Sequence, residues 1–302
     1  MVHTQHCKRG FTLIELSIVL VIIGLIVGGV LVGRDLISAA QVRGTVSQIE
    51  KFNQATNTFY GKYQYLPGDI PNSLAPQIGL ITRGVFPGQG DGNGTIQGST
   101  AAGNYSYGGA PVSGETAVFW RDLSTLSLID AGLNTADFAT NFYPQQTNPS
   151  YRLPRAKLGN GNYFYVYSGD QTGAYQGNVT GQTYFCLSAV SALTLSNWTF
   201  NSTPGLSVNQ ASSIDTKVDD GFPQSGRTQA FYVNHAFSSS YYSWAAGGGV
   251  EGANASHLPT TAATAGSSTT CYDNNNVAGT QKYSVTQNNG TGVNCALSVR
   301  FQ

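Results

Sequence analysis

Charge is what this chain has least of. Asp, Glu, Lys and Arg make up 10% of its 302 residues, where ordinary globular chains sit near about 25%. The formal net charge is zero, and beyond Tyr63 nine basic residues stand against twelve acidic ones. A body without a basic field gives no electrostatic footprint for nucleic acid. Histidine is scarce too. His3 and His6 lie beside Cys7 at the start of the chain, and His235 and His257 have no ligand spacing to a partner. The nucleophile elbow G-x-S-x-G, the phosphate loop G-x-x-x-x-G-K-[ST] and the zinc-protease pair H-E-x-x-H are all missing. No repeat of fixed period is present. These absences give no support to an enzyme or an organic cofactor.

Glycine is abundant, at 37 residues, and Ser, Thr, Asn and Tyr are conspicuous. Such a composition suits short strands joined by many turns. The length allows one large domain or two small ones.

The one long apolar run is near the N-terminus. Phe11 to Gly33 carries a single charge, Glu15. As a helix it would be about 34 Å long, enough to cross a hydrocarbon core of about 30 Å. Lys8 and Arg9 precede it, which puts the N-terminus on the cytoplasmic side. A cleaved secretory signal is the plainer alternative, with Ser38-Ala39-Ala40 as its cut site. Its apolar core, Leu16 to Gly33, is longer than the usual about 7–15 residues of such signals. A signal or simple anchor also gives no reason to place a carboxylate at position 15.

Lys8-Arg9-Gly10-Phe11-Thr12-Leu13-Ile14-Glu15 followed by this run resembles the N-terminus of prepilins, the precursors of type IV pilins and type II secretion pseudopilins. The resemblance implies cleavage between Gly10 and Phe11 by a prepilin peptidase, N-methylation of Phe11, and a role for Glu15 in assembly. It further implies partners: other subunits met through the N-terminal helix, and an inner-membrane assembly platform. Localisation would be the inner membrane first, then an extracellular or periplasmic filament. Many major pilins carry a proline where this chain has Val32, so the usual kink is not expected. Gly24, Gly28, Gly29 and Gly33 would either soften the helix or permit close helix packing.

The helical period continues past the membrane. Val42, Val46, Ile49, Phe52, Phe59 and Tyr63 form an apolar stripe with polar residues on the other faces. Tyr65-Leu66-Pro67-Gly68-Asp69-Ile70-Pro71-Asn72 then stops it. The organisation expected is a leader over 1–10, a long helix over 11–63 that crosses the membrane at about 11–33, and a β-rich head over 64–302. Strands are expected around residues 163–167, 184–187, 231–233, 283–285 and 296–301, with helices over 114–133 and within 212–221. The segment Gly88 to Pro111 reads as a loop. The fold class is α+β: a long N-terminal helix packed on a mainly antiparallel, pilin-like sheet. "YLPGDIPN", "VFWRDLSTLSLI" and "IDTKVDDGFPQSG" resemble, more weakly, segments of long prepilin-like proteins of Gram-negative bacteria.

Removing the leader takes Cys7 with it and leaves Cys186, Cys271 and Cys295, enough for one bridge and one free thiol. The resemblance implies a C-terminal bridge, Cys271–Cys295, while Cys186 reads as a small buried residue of a strand. Calcium is the one cation to weigh. Asp91 and Asn93, and separately Asp215, Asp219 and Asp220, offer oxygen ligands. The first stretch lacks the glycine and the glutamate of an EF-hand loop, and the plainer reading is a Gly/Asn turn and a capped helix end. The function expected is a structural subunit of a type IV pilus-like filament, of minor, tip or specialised kind. The alternatives are a secretion pseudopilin, and a membrane-anchored binding protein or enzyme that never polymerises.

Overall fold

The structure is a computed structural model and describes residues 12–84, 88–98, 114–130, 132–134, 148–168, 182–194, 199–234, 243–247, 250–252, 270–273 and 281–301. Gly10, Phe11, His235 and His257 lie outside these residues. The chain divides into two compact units, Met1–Gln41 and Val42–Gln302.

Helix α1 runs unbroken from Leu13 to Tyr63. With Val32 in place of proline no backbone hydrogen bond is forfeited there. Within the first unit its apolar side chains are exposed, from Leu13 through Leu20, Leu25 and Leu31 to Ile37. This helix is long and apolar enough to cross a membrane. Within the second unit the helix behaves as the sequence period predicts. Val42, Ile49, Phe52, Ala55 and Phe59 are buried, and Val46 and Tyr63 pack against the same core.

The core of the second unit is aromatic. Helix α2 (Gly114–Thr125) supplies Phe119 and Trp120. Strands β1 (Asn162–Ser168) and β2 (Thr183–Thr194) supply Phe164 and Phe185. The Phe52 ring lies 4.8 Å from Trp120, 5.1 Å from Phe164 and 6.1 Å from Phe185, edge-on or tilted in each case. One side chain of α1 thus touches a helix and two strands. Such ring pairs add about 0.5–1.5 kcal/mol each beyond area burial. Gln48 fixes the helix to the chain ahead of β1: its amide donates to the Arg155 carbonyl at 2.9 Å and accepts from the Lys157 N–H at 2.7 Å.

The remaining elements are β3 (Thr199–Thr203), β4 (Leu206–Ser207), α3 (Val208–Val218), β5 (Thr228–Gln229), β6 (Phe231–Tyr232), β7 (Ser243–Gly247), β8 (Val250–Gly252), β9 (Tyr272–Asp273), β10 (Lys282–Tyr283), β11 (Val293–Cys295) and β12 (Leu297–Arg300). The main sheet has the order β1-β2-β12-β5, with β3 also on β2, and every pairing is antiparallel. A second sheet, β10-β9-β7-β6 with β8 on β7, contains one parallel contact, between β7 and β9. β11 pairs with β4. β12 therefore lies in the middle of the main sheet, between β2 and β5. The architecture is α+β and pilin-like.

Two helix boundaries differ from the sequence reading. The helix expected over 114–133 ends at Thr125. Ser127 takes a left-handed conformation, and the Leu128 and Ile129 N–H groups turn back to the Leu123 carbonyl. This is a C-terminal cap made by Ser in the place glycine usually takes. α3 starts at Val208, earlier than the apolar period suggests. Ser207 caps it, and Gln210 completes a reciprocal capping box, which outweighs the polar content of the first turn.

Replacing Phe52 by alanine removes the ring where three elements meet. The expected cost is about 3–5 kcal/mol. Equilibrium denaturation of the detergent-solubilised chain measures it. A loss below about 1 kcal/mol would show that the aromatic cluster does not hold α1 to the sheet.

Candidate functional site

The N-terminal site is built on the first turn of α1. Thr12 precedes the helix and Glu15 is its third residue. The Thr12 N–H and hydroxyl each donate to Glu15 Oε2 at 2.8 Å, and the Glu15 N–H donates to Thr12 Oγ1 at 3.3 Å. The carboxylate and the following apolar residues are exposed.

A second constellation joins segments that are far apart in sequence. Asp91, singled out by sequence, meets two carboxylates that sequence reading passed over, Asp69 and Glu115, with an oxygen of each within 4.8 Å of the others. Asp69 and Glu115 are fully buried. Asp69 accepts the N–H groups of Gly92 at 2.8 Å, Asn93 at 3.1 Å and Gly94 at 2.8 Å. Glu115 accepts those of Gly90 at 2.9 Å, Asp91 at 3.4 Å and Gln97 at 2.8 Å. Asp91 accepts those of Gly88 and Asn93. Each of the six oxygens thus takes a backbone N–H. The loop offers so many amides because Gly88, Gly90, Gly92 and Gly94 all have positive φ. Alternating left-handed residues turn successive N–H groups to one side. Asn93 turns its own Oδ1 to the Thr95 N–H and hydroxyl. The Gly/Asn segment is a turn held from inside by two buried carboxylates, whose oxygens stand close enough to that of Asp91 to hold a metal ion.

The turn at Gly68 locks onto the same helix. Its N–H donates to Asp122 Oδ2 at 2.7 Å, and a Cβ there would lie 2.5 Å from the Glu115 carbonyl oxygen. Asp122 also pairs with Arg83 at 2.6 Å, both buried. "YLPGDIPN" and "VFWRDLSTLSLI" therefore meet in one place, and what they build is a scaffold for a loop.

Asp215, Asp219 and Asp220 form the other acidic group. Asp215 accepts the Tyr283 hydroxyl at 2.8 Å and the Gly221 N–H at 3.3 Å. Asp219 accepts the N–H groups of Arg227 and of Thr228, the latter at 2.9 Å. Asp220 accepts Phe222 N–H and Ser225 hydroxyl. The three carboxylates fasten the turn after α3.

Cys271 and Cys295 are joined by a disulfide, and Cys186 is buried and free. Burial pushes the Cys186 thiol up to about 12, which makes it inert as a nucleophile at neutral pH. A groove of about 800 Å³ runs beside the second half of α1, with Lys51, Arg155, Lys157 and Asp130 among its lining. The Ser150 hydroxyl there meets Tyr163 and Arg155.

Similarity to known families lies at the N-terminus. The model of the prokaryotic N-terminal methylation motif matches residues 5–31. No curated protein and no solved structure matches the chain. The matched segment is the signature of type IV pilins and pseudopilins, and the long helix with its antiparallel sheet agrees with it. A signature of this kind points to a structural subunit of a filament rather than to an enzyme.

Burial raises the carboxyl groups of Asp69, Glu115, Asp122 and Asp215. Asp69 is held at about 7, mainly by desolvation with the Asp91 charge adding to it. Asp215 is also held at about 7, again by burial first. Glu115 is raised well above the usual range by burial and by Asp69, and Asp122 is raised by burial despite Arg83. A carboxyl whose folded pKa exceeds its unfolded value, about 4, favours the fold when protonated. Its contribution is fully present below about pH 4 and is lost as pH rises through about 7. The detergent-solubilised chain is therefore expected to melt several degrees higher at pH 5 than at pH 8, and Asp69→Asn to flatten that difference. Thermal melts at the two pH values check this. A higher melting temperature at pH 8 would contradict the assignment.

Proposed function

We propose that this chain is made as a precursor, held in the inner membrane by α1, cut between Gly10 and Phe11, methylated on the new Phe11 amine, and drawn through an inner-membrane assembly platform into a type IV pilus-like filament. The domain organisation that goes with this is a leader over 1–10, the helix over 11–63 and a head over 64–302. The observation that carries the reading is Glu15: a carboxylate in the first turn of an exposed, membrane-length apolar helix, within a matched methylation motif.

The physical argument starts from cost. A carboxylate at the membrane centre costs about 2.5–3.5 kcal/mol on insertion scales, and less near a helix end. Cleavage creates an amine at Phe11, and methylation leaves it charged. Pairing Glu15 with the Phe11 amine of a neighbouring copy compensates both charges and fixes the step between subunits. A contact between two different patches does not close on itself, and so it propagates as a helix of subunits. The apolar surface from Leu13 to Ile37, which lipid covers before assembly, is covered by the same surface of other copies afterwards. The head beyond Tyr63 is large for a filament whose bulk is one repeated subunit, which favours a minor, tip or specialised pilin with a surface for adhesion. A type II secretion pseudopilin is built on the same signature and the same pairing.

Two variants test the reading. Gly10→Val puts a branched side chain at the scissile bond, where close approach of the peptidase favours glycine. It should leave uncut chain in the inner membrane, whereas intact-mass measurement of the wild type should give a chain that starts at Phe11 with one added methyl group. A wild-type mass that starts at Gln41 would establish the secretory-signal alternative.

Glu15→Val should still be cut and membrane-held, yet enter filaments at least about tenfold less than wild type. Leaving one partner of a buried pair uncompensated costs about 3–5 kcal/mol. Sheared-filament fractions report this, and wild-type incorporation of Glu15→Val would remove the assembly role.

A further inference from the structure

Glu15 is engaged by its own chain before any neighbour reaches it. Thr12-Leu13-Ile14-Glu15 is a T-x-x-E capping box at the start of α1. Two reciprocal bonds define such a box, and both are present: Thr12 N–H to Glu15 Oε2 at 2.8 Å, and Glu15 N–H to Thr12 Oγ1 at 3.3 Å. A third is added here, because the Thr12 hydroxyl also donates to Oε2 at 2.8 Å. Both Thr12 donors therefore converge on one carboxylate oxygen. Among the described residues no hydrogen bond reaches Oε1, and the side chain is exposed. A carboxylate offers about four lone-pair sites, so the box occupies one oxygen and leaves the other whole.

We propose that Thr12 is a positioning residue for the assembly contact: by holding Glu15 Oε2 it fixes the rotamer of the carboxylate and presents Oε1 to the methylated Phe11 amine of a neighbouring copy. The inference rests on the reading of Glu15 given above. Its physical content is preorganisation. Glu has several rotatable bonds, and in a free first turn its carboxylate samples many directions. Two donors on one oxygen remove most of that freedom before the neighbour arrives, so less is lost when the pair forms. The same bonds satisfy the Thr12 N–H, a donor with no intrahelical partner, in a setting where water is absent. The unassembled subunit thus keeps a ready acceptor in lipid without leaving its own donors unmet.

A hydroxyl at the start of a helix also caps it, and the test must separate capping from positioning. Thr12→Val is nearly isosteric and has no hydroxyl. Thr12→Ser keeps the hydroxyl. Thr12→Asp caps at least as well as Thr, since its carboxylate accepts the Glu15 N–H, but its side chain has no proton to give to Glu15 and repels it.

The experiment uses the full chain in cells that assemble its filaments, and reads the amount in sheared filaments relative to processed, methylated chain in the inner membrane. Intact mass confirms that every variant starts at Phe11. Thr12→Ser is expected within about twofold of wild type. Thr12→Val is expected about tenfold lower, and Thr12→Asp no better than Thr12→Val. Incorporation of Thr12→Val at the wild-type level, or restoration by Thr12→Asp, overturns the inference, the latter showing that the hydroxyl only caps. The Glu15→Val chain run beside them separates the two levels. If it assembles as wild type, the assembly reading fails and the inference with it. If it fails while Thr12→Val assembles normally, the inference alone is wrong.

Discussion

An interaction that recurs through this protein is a carboxylate accepting backbone N–H groups. Glu15 does it at the start of α1, Asp69 and Glu115 inside the glycine loop, Asp122 at the Gly68 turn, and Asp215 and Asp219 behind α3. A chain with so few charges has few to spare for solubility, and many of its acids face inward. Each buried carboxylate carries a desolvation cost that only several donors offset. Each exposed turn amide gains an acceptor that keeps its loop in one conformation. Short strands and long turns make this necessary, because a turn has no ladder to satisfy its own N–H groups.

The helix α1 gives the second half of the design. Within the first unit its apolar side chains are exposed, and within the second it sends Phe52 into a cluster with Trp120, Phe164 and Phe185. One secondary-structure element thus meets two environments, and its composition changes accordingly: apolar on all faces up to Gly33, apolar on a single stripe from Val42 onward. No break is needed between them, since backbone hydrogen bonds within a helix are indifferent to what surrounds it.

What could be read from the sequence is what is local. The period of Val42, Ile49, Phe52 and Phe59 gives the buried stripe because helix geometry repeats every few residues. The strand at Tyr163 to Tyr167 is legible from its aromatics and the glycine before it. The Glu15 site lies within eight consecutive residues of a motif. The carboxylate pair of Asp69 and Glu115 is missed because its partners lie 18 to 25 residues away, and each acid alone resembles a turn or a helix start. The signal that pointed to it was the run Gly88, Gly90, Gly92, Gly94. Four such glycines turn their amides to one side, and amides gathered so need an acceptor, which has to come from elsewhere. The helix end at Thr125 escaped notice because Ser127, with no glycine beside it, takes the left-handed position.

The second unit holds a third sulfur beside the two of the bridge, and its place in the sheet bears on that bridge. Three thiols allow three different single bridges, and thiolate attack on a formed bridge interconverts them. Cys186 sits in β2, between β1 and β12, with neither exposure nor a tendency to ionise. Once that strand is in its sheet, Cys186 is out of reach of Cys271 and Cys295. β12 follows Cys295 directly and pairs with β2 at Cys186 itself, so the strand that hides the odd thiol is the one that brings the right partner to Cys271. With β12 paired over Cys186, that sulfur is closed off from attack on the Cys271–Cys295 bridge.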